Sequence, residues 1–227
     1  MKPYYEEAGI TIYHGNHRDN GGFVDHRYHL ITDPPYGISY ESHHNSSRKG
    51  EWAAWTKTEN FAGIQGDDKA FDPSSVDYSG FKRAAIFGGN YCADKLTAER
   101  CWVVWDKRDG IGPNDFADCE LIWTNFPKPS RLFRHVWSGL IRAGRENVAL
   151  EDKVHPHQKP VALMKFLMVY GDASHVYDPF MGSGSTLIAA KELGLPAIGI
   201  ELEERYCEIA ANRLRQSVFN FEMVEVA

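Results

Sequence analysis

The last third of the chain constrains the fold most. In "VYDPFMGSGSTLIAAKEL" (176–193) an apolar run ends at Asp178, and three small residues, Gly182, Ser183 and Gly184, make room for a tight turn. A helical pattern follows at 185–193, then a second apolar run, "AIGIE" (197–201), and a further helical pattern at 203–216, "EERYCEIAANRLRQ". Another helical pattern, "VALMKFLMVY" (161–170), precedes the unit. Strand, helix and strand in this order build a parallel sheet, because a parallel neighbour is reached only by a crossover.

The remaining apolar runs extend the same sheet. Strands are expected at "ITIYH" (10–14), "YHLIT" (28–32), "AAIFG" (84–88), "WVVW" (102–105), "ELIWT" (120–124) and "HVYD" (175–178), seven with "AIGIE". A weaker helical pattern covers 91–100. At 227 residues these elements fit one α/β domain over 1–227. Residues 38–75, polar with isolated Trp52, Trp55 and Phe61, are expected as a mobile loop, and 127–153 as a second irregular, basic segment.

No stretch reaches the roughly 18 apolar residues of a membrane span, and "MKPYYEEAGI" lacks the apolar centre of a signal peptide. Cys92, Cys101, Cys119 and Cys207 show no C-x-x-C pairing. They read as reduced thiols of a cytoplasmic protein, with no metal site. The net charge of −6 argues mildly against a nucleic-acid partner. Residues 127–159 oppose it locally, with seven Lys or Arg against three acids, a balance of +4.

Glycines at a strand-to-helix turn let backbone N–H groups approach an anionic or polar ligand closely. No Lys-Ser/Thr follows the loop, so it is not a P-loop. Leu187 stands where a dinucleotide fingerprint has its third glycine. Glu201, at the end of the next strand, is suited to accept both hydroxyls of a ribose; its structural alternative is an acid favourable to the dipole of helix 203–216. "TDPPYG" (32–37) ends another strand on a carboxylate and two prolines, a turn or an active site by local chemistry alone.

Four motifs together, "TDPPYG", "HPHQKP" (155–160), "DPFMGSGST" (178–186) and "AIGIELEERY" (197–206), resemble the S-adenosyl-L-methionine-dependent DNA amino-methyltransferases that modify adenine N6 or cytosine N4. Their order, with the DPPY motif first, is that of the family's β class. The resemblance implies a Rossmann-like methyltransferase domain with a seven-stranded, mostly parallel sheet, one strand antiparallel, and helices on both faces. It implies S-adenosyl-L-methionine bound by Asp178, Pro179, Phe180, Gly182, Ser183, Gly184, Ser185, Thr186 and Glu201, with Lys159 and Asp33 beside its methionine end. "VVWDK" (103–107) and "FADCELIW" (116–123) resemble the strands that close the target pocket.

In such a site Asp33 and the Pro34 carbonyl accept hydrogen bonds from an exocyclic amino group and free its lone pair. Pro35 stiffens the frame, and Tyr36 offers a face for an extruded base. Asn16, Gly37, Arg131, Arg134, Arg142 and Arg145 are candidates for the base pocket or for DNA phosphates. Asn16 stands where the family has Asp, and His157 replaces a Thr.

No cysteine follows a proline, which excludes the thiolate chemistry of cytosine C5 methylation. Aspartate before "PPY" favours adenine. The expected activity is therefore adenine-N6 methylation of double-stranded DNA with the target base flipped, by a monomer or homodimer. The alternatives are cytosine-N4 or RNA methylation, and a catalytically silent nucleic-acid-binding subunit.

Overall fold

The computed structural model describes residues 2–19, 27–37, 69–110, 117–138, 141–142 and 158–216. Its strands are β1 (Tyr5–Glu7), β2 (Ile10–His14), β3 (Tyr28–Thr32), β4 (Arg83–Phe87), β5 (Cys101–Asp106), β6 (Cys119–Thr124), β7 (Arg131–Arg134), β8 (Trp137–Ser138), β9 (Ile141–Arg142), β10 (His175–Asp178) and β11 (Ala197–Glu201). The helices are α1 (Val161–Tyr170), α2 (Ser185–Glu192) and α3 (Glu204–Gln216). Nine strands form one sheet in the order β1-β2-β11-β10-β3-β4-β6-β5-β7, and β8 and β9 form a separate hairpin.

All seven expected runs are strands of this sheet. From β2 to β4 the strands are parallel, with Val176 of β10 level with His29 of β3 and with Ala197 of β11. β6 is antiparallel to both β4 and β5. The count of seven is corrected to nine, because β1 adds an antiparallel edge and β7 a parallel one. Two strands, not one, therefore run against the rest.

Burial follows position. The central strands β3, β4 and β10 are buried at every residue but the first, as in a parallel sheet covered on both faces. β5, next to the edge, alternates buried and half-buried residues.

Alternate residues of each strand feed two cores. Ile31, Ala85 and Phe87 join Leu163, Leu167, Leu187, Ile188, Ala210 and Leu214 from all three helices. Leu30, Ala84 and Ile86 point the other way, toward Val76 and Trp123, with Phe71, Tyr78 and Phe81 packed against them. Among the described residues the α-helices share one face, and the other is covered by the 3-10 turns Pro73–Val76 and Tyr78–Gly80. Phe71, Tyr78 and Phe81 supply apolar cover there.

The helical pattern at 91–100 is corrected: only a 3-10 turn, Gly89–Tyr91, forms. Side chains claim the backbone groups that a helix would need. The Thr97 N–H donates to the Tyr78 hydroxyl, and Lys95 and Thr97 carbonyls accept from Tyr78 Oη and Trp123 Nε1. No helix among the described residues is long and apolar enough to cross a membrane.

Candidate active site at the strand ends

The chain leaves β3 toward β4 and leaves β10 toward β11, in opposite directions across the sheet. Ligands of open α/β sheets bind at such a switch point, beyond the carboxyl ends of the strands. Asp33 follows β3 and Asp178 ends β10, so the two carboxylates flank this crevice. A cavity of about 500 Å³ opens there, lined by Asn16, Asp33, Pro34, Pro35 and Tyr36 on one side and by Phe180, Gly182, Ser183, Ser185, Thr186 and Glu201 on the other. That volume suits a nucleoside-sized ligand.

Asp178 is 2% exposed, and its carboxylate organises the Gly loop. Oδ1 accepts from the Thr32 hydroxyl (3.2 Å) and the Phe180 N–H (3.0 Å), and Oδ2 from the Thr186 hydroxyl (2.6 Å). Burial pushes its pKa up to about 7 against these hydrogen bonds.

Glu201 ties the loop from the other side. Its Oε2 accepts from the Gly182 N–H (3.0 Å) and its Oε1 from the Glu203 N–H (2.8 Å). Burial raises its pKa, and the same N–H groups oppose the rise. Arg213 of α3 donates to the Ser183 carbonyl (2.6 Å) and hydroxyl (3.2 Å), which pins the turn to the helix. Gly184 sits at φ +82°, and a Cβ there would lie 2.8 Å from the Ala210 Cβ.

Asp33 is held on both oxygens. Lys159 Nζ donates to Oδ2 (2.5 Å), and the Tyr36 hydroxyl donates to Oδ1 (2.7 Å). Lys159 is 7% exposed and also lies 3.5 Å from Glu120 Oε2 of β6. Burial alone would lower its pKa, but Asp33 and Glu120 outweigh that and hold the ammonium above its ordinary value. Glu120 in turn receives Lys107 Nζ at 3.2 Å. Burial, then the Asp33 charge, raises the Tyr36 phenol well above its ordinary value.

The expected residues divide. The motif residues Asp33–Tyr36, Lys159, Asp178–Phe180, Gly182, Ser183, Ser185, Thr186 and Glu201 line one cavity, and Asn16 joins them at its rim. Gly184 shapes the loop behind it. Gly37, at φ +73°, packs its Cα against the backbone of Lys69 and Ala70. Arg131 and Arg134 lie on edge strand β7, away from the cavity. Arg131 stacks over Tyr170, and Arg134 lies 3.9 Å from Asp106 and 3.8 Å from Asp109.

Arg142 falls in β9, where only its backbone is described, and Arg145 lies outside the described residues. So do 38–68, with Trp52, Trp55 and Phe61, and most of the basic segment, 139–140 and 143–157.

Sequence reasoning missed Glu120, Thr32 as a partner of Asp178, Arg213 and His17. Nothing in the sequence marks a lone Glu in a strand as the neighbour of Lys159. His17 lines the cavity, its ring 4.6 Å from that of Phe180.

Two buried polar atoms in the lining, Ser185 Oγ and His17 Nε2, have no hydrogen-bond partner among the described residues. Such atoms in a concave site at a helix N-terminus fit a polar ligand with an adenosyl-type group. Among the described residues no cluster of three or more His, Cys, Asp or Glu could hold a metal.

Residues 102–212 match the family model described as DNA methylase, of the N6/N4 methyltransferases. The type II methyltransferase M.HinfI of Haemophilus influenzae is 39% identical over 87 residues, covering 37% of this chain and 24% of the relative. M2.LlaDCHI of Lactococcus lactis is 35% identical over 116 residues, covering 50% and 41%. The chain thus spans less than half the length of these curated relatives.

Among solved structures, the M1.HpyAVI–SAM complex superposes with a TM-score of 0.53 at 22% identity, covering 90% of this chain and all of that one. The cytosine-N4-specific PvuII DNA methyltransferase superposes at 0.62 and 17% identity, covering 93% and 88%. At these identities the superpositions speak for the fold. Motif order and the sequence matches thus agree that this chain is similar to the N6/N4 DNA methylases, and the superpositions add that its fold is that of solved DNA methyltransferases.

Proposed function

We propose that the chain transfers a methyl group from S-adenosyl-L-methionine to the N6 amino group of adenine in double-stranded DNA, with the target base turned out of the helix. The observation that carries this reading is the position of Asp33. Its carboxylate, held by Lys159 and Tyr36, faces a cavity whose far side is the Gly182–Ser185 turn and Glu201.

When bound, the cofactor supplies a sulfonium methyl: the S–C bond breaks as the N–C bond forms, and the amino nitrogen gives up one proton. The chain's own residues do the rest. The Gly182–Ser185 turn and Glu201 wall the adenosyl part, and Phe180 gives it an apolar face. Asp33 and the Pro34 carbonyl accept from the two amino hydrogens, and Tyr36 stacks on the ring. Lys159 holds Asp33 oriented, so the acceptor needs no reorganisation when the base arrives. Aspartate before "PPY" favours adenine; cytosine N4 is the second reading.

The test is incubation with methyl-labelled S-adenosyl-L-methionine and unmethylated genomic DNA, followed by hydrolysis and nucleoside identification. N6-methyladenine is expected. N4-methylcytosine would replace the base assignment, and no transfer by a chain that binds the cofactor would overturn the proposal. Asp33→Ala is expected to lower transfer by about a hundredfold or more while cofactor affinity changes by less than about threefold.

A further inference from the structure

Glu120 is the first acid of β6, and the direction of that strand decides what it meets. β6 runs antiparallel to β4 and β5, so its first residues lie at the carboxyl ends of its neighbours, the end of the sheet that carries Asp33. There its two carboxylate oxygens face different cations. Oε1 accepts from Lys107 Nζ at 3.2 Å. Oε2 is buried, accepts no hydrogen bond among the described residues, and lies 3.5 Å from Lys159 Nζ. Lys159 donates instead to Asp33 Oδ2 at 2.5 Å. Asp33, Lys159, Glu120 and Lys107 thus form a row of alternating charge that leads away from the cavity.

Little water reaches the middle of this row. Lys159 is buried, and its ammonium lies 5.3 Å from the centre of the Phe87 ring and 5.9 Å from that of Tyr36. Charges in such surroundings attract one another more strongly than in water. The ammonium divides its field between two carboxylates, and what Glu120 draws off is withdrawn from Asp33. A carboxylate fully compensated by a short bond to an ammonium is a weak acceptor for further hydrogens; one that keeps part of its charge is a strong one. The Glu120 charge is felt as far as Tyr36, whose phenol is raised by burial first, then by Asp33 and then by Glu120.

Resting on the reading of Asp33 as acceptor of the amino hydrogens, we infer that Glu120 is a positioning residue for methyl transfer: by sharing the Lys159 ammonium it leaves on Asp33 the negative charge that draws the amino group. Lys107 sets how much Glu120 can share, because it compensates the other oxygen. Glu120 and Lys107 both lie outside the cavity lining. Their substitution therefore bears on the rate of transfer and not on the holding of the cofactor.

The test uses the full chain and measures two quantities: the single-turnover rate of methyl transfer to unmethylated genomic DNA at saturating cofactor, and the dissociation constant for S-adenosyl-L-methionine. Glu120→Gln keeps the shape and removes the charge. It is expected to lower the rate by about five- to thirtyfold while the dissociation constant stays within about twofold. Lys107→Met frees Glu120 to act on Lys159, and its rate should equal or exceed that of wild type. Both variants break the same bond between Lys107 and Glu120, so a packing role predicts a loss in both. Equal losses would overturn the inference, as would a wild-type rate in Glu120→Gln or a loss there that follows the dissociation constant. Asp33→Ala separates the two levels. Undiminished transfer by that variant overturns Asp33 as the acceptor, whereas a slow Asp33→Ala beside a wild-type Glu120→Gln overturns the role of Glu120 alone.

Discussion

Gly184 meets helix α3 in the turn after β10, and an alanine there carries two separable penalties. The first is conformational: φ is +82°, a left-handed geometry that costs an L-residue about 1–2 kcal/mol. The second is steric, since the added Cβ would lie 2.8 Å from the Ala210 Cβ, and overpacking of this kind costs about 1–3 kcal/mol. Gly184→Ala alone is therefore expected to lose about 2–5 kcal/mol. Ala210→Gly alone should lose about 2 kcal/mol, from helix propensity and one buried methyl. In the double variant the nearest atom to the new Cβ is the Ala210 Cα at 3.4 Å, so the steric part disappears while the conformational part stays. Urea unfolding of the four proteins, at unchanged m, should show the double variant more stable than additivity by about 1–3 kcal/mol. Additivity within about 0.5 kcal/mol would refute the contact and the loop packing derived from it.

Two further predictions concern the buried charges. Asp178 has a folded pKa of about 7 against an ordinary 3.8, so the folded chain holds a proton that the unfolded chain releases in that window. Its contribution to stability falls as pH rises from about 4 to about 7, and the deficit of Asp178→Asn relative to wild type should narrow over the same range; urea midpoints at both ends check the sign. Lys159→Met leaves Asp33 and Glu120 without their shared cation and should cost about 3–5 kcal/mol. Adding Glu120→Gln to that variant should restore part of the loss, and a further loss instead would remove Glu120 from the network.

The central fold was legible because its strands and helices write their burial into the sequence. The seven runs from "ITIYH" to "AIGIE" are continuous or alternating apolar stretches, and each is a strand. The edge strands "YEE" and "RLFR" are mostly exposed and carry no such pattern. The placing of β6 between β4 and β5 depends on pairing, which local periodicity does not encode. The same division runs through the site. Asp33, the Gly loop, Glu201 and Lys159 belong to short motifs with chemistry of their own, whereas Glu120 and Arg213 matter only through neighbours brought by the fold. The pattern at 91–100 misled because Tyr78 and Trp123, distant in sequence, take its backbone bonds.

The bond between Lys159 and Asp33 joins residues 126 apart in the chain, and that between Thr32 and Asp178 spans 146. Neither can form until the two halves of the polypeptide have met, so the site has no precursor in any local segment. Loop-closure entropy delays such long-range contacts relative to helices and turns. The Asp33 carboxylate is thus positioned late, and its electrostatic cost is met in folding rather than in each encounter with a ligand. A nascent or partly unfolded chain carries the motifs but not the carboxylate geometry, so the site exists only in the completed fold.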